Sequence, residues 1–152
     1  MKKFRYPLER LKQFRALELV TASDAMRQLA AQIHVVEGSI SEKQSAIQQA
    51  QGNLVSAETA SGMVQPDVRR RAGLYIDSVQ QEQEQLEQTL DELLQQHAQA
   101  HAHLVEKKQS VKMLENHEQR LSTSHHAHQQ TLQNKESDEL WLTRPSNTGN
   151  QI

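Results

Sequence analysis

Among the residues of this chain, its eight histidines are best suited to metal chemistry. The stretch HAQAHAH places His97 and His101 four apart, one turn along a helix and on one face of it. Folding of the chain back on itself, argued below, brings His34 opposite that region, which would complete a three-histidine zinc site. Against this stand the absence of cysteine and of any carboxylate spaced to orient the imidazoles. The expectation is therefore no metal and no other cofactor. His97, His125 and His128 fall instead where a helix meets a partner helix. There a polar residue fixes register and a titrating imidazole makes stability sensitive to pH.

A second charged cluster is VRRR, Val68 to Arg71. Three cations in the first turn of a helix oppose its dipole, at roughly 0.3–1 kcal/mol each when exposed. Either solvent mutes that penalty or the cluster meets an acidic partner. Between Arg71 and Lys107 there is no Lys or Arg, while Asp77, Glu82, Glu84, Glu87, Asp91, Glu92 and Glu106 are present. These glutamates read as a solvated helix face. No phosphate-binding loop, no nucleophile beside a base and no paired-carboxylate site is visible, so no enzymatic activity is expected.

Composition explains why. The 152 residues are 36% hydrophobic and only 3% aromatic, with a mean hydropathy of -0.79. That is too little for a layered core but enough for one narrow stripe along a coiled coil. A net charge of -2 argues against nucleic-acid binding. No apolar run approaches the roughly 18 residues of a membrane span, and the start lacks the apolar stretch of a secretory signal, so the expected address is cytoplasmic.

The stripe repeats every seven residues. In the first half Met26, Ile33, Ile40, Ile47 and Leu54 hold one position; Ala22, Leu29, Val36, Ala50 and Ala57 hold the other, with Lys43 the exception. Alternating steps of four and three put them on one helical face. In the second half one position takes Ile76, Gln83, Leu90, His97, Leu104, Val111, Glu118, His125 and Leu132. The other takes Val79, Leu86, Leu93, Ala100, Lys107, Leu114, Leu121 and His128. Gly62, Pro66 and Asp67 mark the break between the halves. The reading is all-α: a long antiparallel two-helix coiled-coil hairpin over 1–144. Helix one spans about 5–61, the turn about 62–66 and helix two about 67–141, with a disordered C-terminal tail over 145–152. Pro7 is tolerable in a first turn. Folding near residue 64 sets the N-terminus beside residues about 113–125, with helix two overhanging it by several turns.

Before Ala22 the apolar phase slips. Phe4, Leu8, Leu11 and Phe14 stand three or four apart, amid Lys2, Lys3, Arg5, Arg10, Lys12 and Arg15 with only Glu9 opposing. The expectation is that Phe4, Leu8 and Leu11 lie against helix two and that the cations face outward.

Both ends then resemble a known family. KKFRYPLERLKQFRALELVTASDAMRQLA, through Phe4, Tyr6, Leu8, Leu11, Arg15 and Glu18, resembles the N-terminal helix of the flagellar export protein FliJ and its injectisome relatives of the YscO type. QNKESDELWLTR resembles that family's closing stretch at Lys135, Asp138, Glu139, Leu140 and Arg144. The resemblance implies a non-enzymatic cytoplasmic part of the type III export apparatus, in flagellum biogenesis and motility. It lies at the cytoplasmic side of the inner membrane and meets the membrane only through the export gate. It implies a terminal end held in the central hole of a hexameric export ATPase, with Phe4, Arg5, Leu8, Arg10, Leu11, Lys12, Arg15, Asp138 and Leu140 as candidate contacts. It implies a second contact with the cytoplasmic domain of the transmembrane export gate, through Arg70, Arg71, Leu74, Tyr75 and Val79, and a part in handling export chaperones and their cargo. The family carries bulky apolar residues on its gate-facing side; here the matching stretch of helix one, SEKQSAIQQAQGN, is polar.

Two other classes fit the same residues: a structural coiled-coil scaffold, which predicts parallel dimers, and a basic amphipathic helix lying on an anionic membrane. The latter needs a wider apolar face than Phe4, Leu8, Leu11 and Phe14 supply.

Overall fold

A computed structural model of the chain describes residues 3–144. The tail expected over 145–152 lies outside them. The fold is an all-α helical hairpin: α1 runs Glu9–Ser61 and α2 runs Pro66–Leu142. The described residues contain no strand.

α1 begins one turn later than its sequence suggests. Pro7 biases Tyr6 away from the α region, so the helix cannot extend back through that residue. The first turn is closed by Glu9 N–H to the Tyr6 carbonyl at 3.3 Å and Lys12 N–H to the Leu8 carbonyl at 2.9 Å. At the other end Gly62 takes φ +69°, and its N–H donates to the Glu58 carbonyl at 3.0 Å. This is the left-handed helix stop that glycine makes cheap. Pro66 then opens α2 at a position where its missing N–H costs nothing. Asp67 offsets part of the charge in the first turn. One of the three arginines there has a structural partner, since Arg69 pairs with Glu58 across the turn.

The chain divides into two compact units. One runs from Val20 to Glu106 and contains the turn. Its seam follows the seven-residue repeat. Ala22, Ile40 and Val79 are buried, and the other repeat positions on both helices are half-buried. Fully burying an aliphatic side chain contributes about 1.5–3 kcal/mol and half-burying it less, so stability is spread along the line rather than held in a center. Lys43, the exception in the repeat, keeps its seam place by reaching Glu82 on α2. That hydrogen bond raises the lysine pKa above its usual 10.5.

The other unit joins the residues up to Leu19 to the chain from Lys107 onward. Here α2 keeps its repeat through His125. Beyond it, His128 and Leu132 still occupy the repeat but are exposed, and residues 130–144 are exposed throughout.

Candidate functional site

The unit formed by residues 3–19 and the chain from Lys107 holds most of the candidate contacts. Its seam is polar. Extending the α1 repeat backward from Met26 and Ala22 reaches Leu19, Arg15, Lys12 and Leu8, and the first three are half-buried. Lys12 Nζ lies 2.5 Å from Glu118 Oε2. Glu18 Oε2 receives Arg15 Nη1 at 2.8 Å and Lys107 Nζ at 3.5 Å. Lys12 is held above its usual pKa by the Glu118 hydrogen bond, with burial opposing. Glu18 is held below 4.5, first by its hydrogen bond from Arg15 and then by Lys107.

Ahead of α1 the chain lies along α2 without being helical. Tyr6 is only 7% exposed, the one buried aromatic among the described residues. Its hydroxyl meets His117 Nδ1 at 2.8 Å and donates to the Leu114 carbonyl at 3.3 Å. The Phe4 ring sits 5.6 Å from that of His125, tilted by 53°. His125 Nδ1 is buried beneath it without a hydrogen-bond partner.

This arrangement corrects the expected apolar stripe. Phe4 does lie on α2, but Leu8 and Leu11 stay 38% and 39% exposed, and Phe14 is 55% exposed. Burial follows the seven-residue repeat, in which Lys12 and Arg15 stand, with Glu18 half-buried beside it. Leu11 and Phe14 fall outside it and face solvent. Lys12 and Arg15 therefore belong to the seam, where their charges are already paired. Arg5 and Arg10 are exposed cations with no ion pair among the described residues. Asp138 and Leu140 stand on the exposed last turns of α2, beside Trp141 at 73% exposure.

The second candidate surface lies on α2 in the other unit. Arg70, Arg71 and Leu74 are exposed, and Tyr75 is 52% exposed. Val79 is 5% exposed and belongs to the seam, so it supports this surface from below and offers nothing to a partner. The reason is its place in the repeat, three residues after Ile76.

The histidine geometry does not assemble a metal site. His34 and His101 are exposed, His97 is half-buried, and no three His, Asp or Glu side chains among the described residues converge on one point. A polar groove lined by Asn116, Gln119, Arg120, Thr123 and Ser124 carries no paired carboxylates. A second groove, lined by Ala31, Val35, Val36 and Leu93, is apolar. No helix among the described residues is long and apolar enough to cross a membrane.

The sequence reading missed Tyr6 as a packing residue, because it looked for burial only at helical spacing. The signal that would have found it is Pro7, which holds the preceding residue off the helix. Compared with family models, with curated proteins and with solved structures, the chain matches none.

Proposed function

We propose that the chain is a non-enzymatic helical adaptor of a type III protein export apparatus, of the FliJ and YscO kind. In this reading it acts at the cytoplasmic side of the inner membrane and docks its terminal end in the central hole of a hexameric ATPase. It meets the cytoplasmic domain of the export gate through the surface around Tyr75, and it takes part in handling export chaperones and cargo.

The observation that supports this reading is the set of charged residues in the seam of the terminal unit. With Lys12, Arg15 and Glu18 turned inward, Arg5, Arg10, Leu11 and Phe14 are left facing out. A ring can grip a helix through such a mixed surface of charge and apolar contact, with charge steering the approach. Coaxial gripping does not require a concave pocket, and the grooves described above supply none with catalytic groups.

The test is a pair of substitutions, Arg5→Glu with Arg10→Glu, leaving Lys12 in place because it is bonded to Glu118. The variant should keep wild-type helical content and lose both capture by the ATPase and stimulation of it. Deleting the gene should abolish flagella or secretion, and the variant should fail to restore them. Full stimulation by the charge-reversed protein would remove this end from the docking site.

A further inference from the structure

We propose that the exposed end of α2 binds the same end of a second copy of this chain, antiparallel, with Leu132 on the two-fold axis. The starting point is a repeat that outlasts its partner. From Ile76 and Val79 to His125 every repeat position of α2 is at least half-buried. The repeat then continues through His128, Leu132, Lys135, Glu139 and Leu142, all exposed. Leu132 and Leu142 thus hold places a coiled coil fills with apolar side chains, and nothing among the described residues covers them. Residues 130–142 make about 20 Å of helix. Single helices of this length are marginal without a packed face.

Charge says which occupant fits. The exposed end carries Glu136, Asp138 and Glu139 against Lys135. The segment packed next to it, where Phe4 meets His125, carries Lys3 and Arg5. None of Glu136, Asp138, Glu139, Lys3 and Arg5 takes an ion pair among the described residues. An antiparallel second α2 with Leu132 facing its own copy puts Asp138 and Glu139 at the level of residues 125 and 126. That is the level of Lys3 and Arg5. The same register sets Leu142 at the level of residue 122 of the second copy, next to its Leu121. Two-fold symmetry makes each contact twice, as a self-complementary interface requires. The second helix runs in the direction of α1 and takes up the seam where α1 has ended.

The interface is short, so the dimer is weak and depends on concentration, and its charge component is screened by salt. It stands independently of the export reading. An ATPase that takes the same end displaces the second copy, so the measurement is made on the chain alone, and its failure leaves ATPase docking untouched.

Light scattering and sedimentation equilibrium of the purified full chain should give monomer and dimer in a concentration-dependent balance. Leu132→Asp should leave a monomer with unchanged helical content, since Leu132 is exposed in the single chain. Lys3→Glu with Arg5→Glu, or Asp138→Lys with Glu139→Lys, should each weaken the dimer about tenfold, as several exposed ion pairs turned repulsive do. An equimolar mixture of the two charge-reversed proteins should recover a heterodimer, because every contact is then between opposite charges. The proposal is overturned by a wild-type monomer at all concentrations. A dimer that survives Leu132→Asp, or a mixture no tighter than its components, overturns it equally.

Discussion

Replacing Tyr6 tests whether the segment ahead of α1 is held on α2 in solution. Tyr6→Phe removes only the hydroxyl. The Leu114 carbonyl lies within α2 and has its own helical donor, and His117 is exposed, so water replaces the lost partner at Nδ1. The cost therefore falls at the low end for a hydrogen bond, about 0.5–1 kcal/mol. Tyr6→Ala also removes a ring that is 7% exposed. Aromatic-to-alanine changes in cores cost about 3–5 kcal/mol, and a two-helix seam that can close over the gap belongs at about 3. Because the contact ties residues 3–19 to the chain from Lys107, the loss should be local. Hydrogen exchange read by mass spectrometry is the assay. Protection of residues 9–19 should fall roughly two- to fivefold in Tyr6→Phe and by about a hundredfold in Tyr6→Ala. Protection around Ile40 and Val79 should hardly move. If Tyr6→Ala exchanges like wild type throughout, the segment is not docked and the geometry at this end is wrong.

Three further outcomes follow from the seam. Ile40→Asp, at a buried repeat position, should cost about 3 kcal/mol or more, whereas Val35→Asp on the exposed face should stay within about 0.5 kcal/mol; comparable thermal melts for the two would refute the register. Glu18 has a folded pKa below its ordinary 4.5, so its contribution is full above that pH and is lost as pH falls through the lower, folded value. Glu18→Gln should therefore lose stability near neutral pH and show a shallower decline in acid melts, and an unchanged acid profile would discount the pairing with Arg15 and Lys107. If the proposed export reading holds, Tyr75→Ala should leave the melting temperature nearly unmoved and weaken binding to an export gate's cytoplasmic domain by about 1–3 kcal/mol, read by titration calorimetry.

The seven-residue repeat was legible because burial on a two-helix seam depends on spacing alone. Met26, Ile33, Ile40, Val79 and Leu86 lie where counting puts them, and the pairing of Lys43 with Glu82 and of Glu58 with Arg69 follows from a fold near residue 64. The terminal unit was harder to read because residue type and position disagree there. Leu11 and Phe14 look like core and lie off the repeat, while Lys12 and Arg15 look like surface and lie on it. Carrying the count back past Ala22 would have found this, since Glu118 and Lys107 already stood at seam positions of α2. Tyr6 was beyond any count, being buried by a proline-imposed departure from the helix.

That disagreement bears on what the terminal end is for. A helix with few apolar residues can use them to close its own seam or to meet something else, and their phase decides which. Between Ala22 and Val79 the repeat positions are apolar and turn inward except Lys43, which reaches Glu82, while Val35, Val55, Leu74 and Tyr75 lie off the repeat and are exposed. Between Leu8 and Leu19 it closes the seam with Lys12–Glu118 and Arg15–Glu18–Lys107 and turns Leu11 and Phe14 out. Half-exposed ion pairs contribute less to stability than the aliphatic contacts they replace, so this closure is weak. The two pairs that cross between the helices, Lys12–Glu118 and Glu18–Lys107, do bear on register, because a slip by one turn would break both. The terminal unit is thus held in register by charge, anchored by Tyr6, and left with its apolar side chains outward. A protein whose hairpin had only to persist as a rod would gain by exchanging Lys12 and Phe14 in phase. This one keeps them in the opposite order, which favors a surface made to be covered.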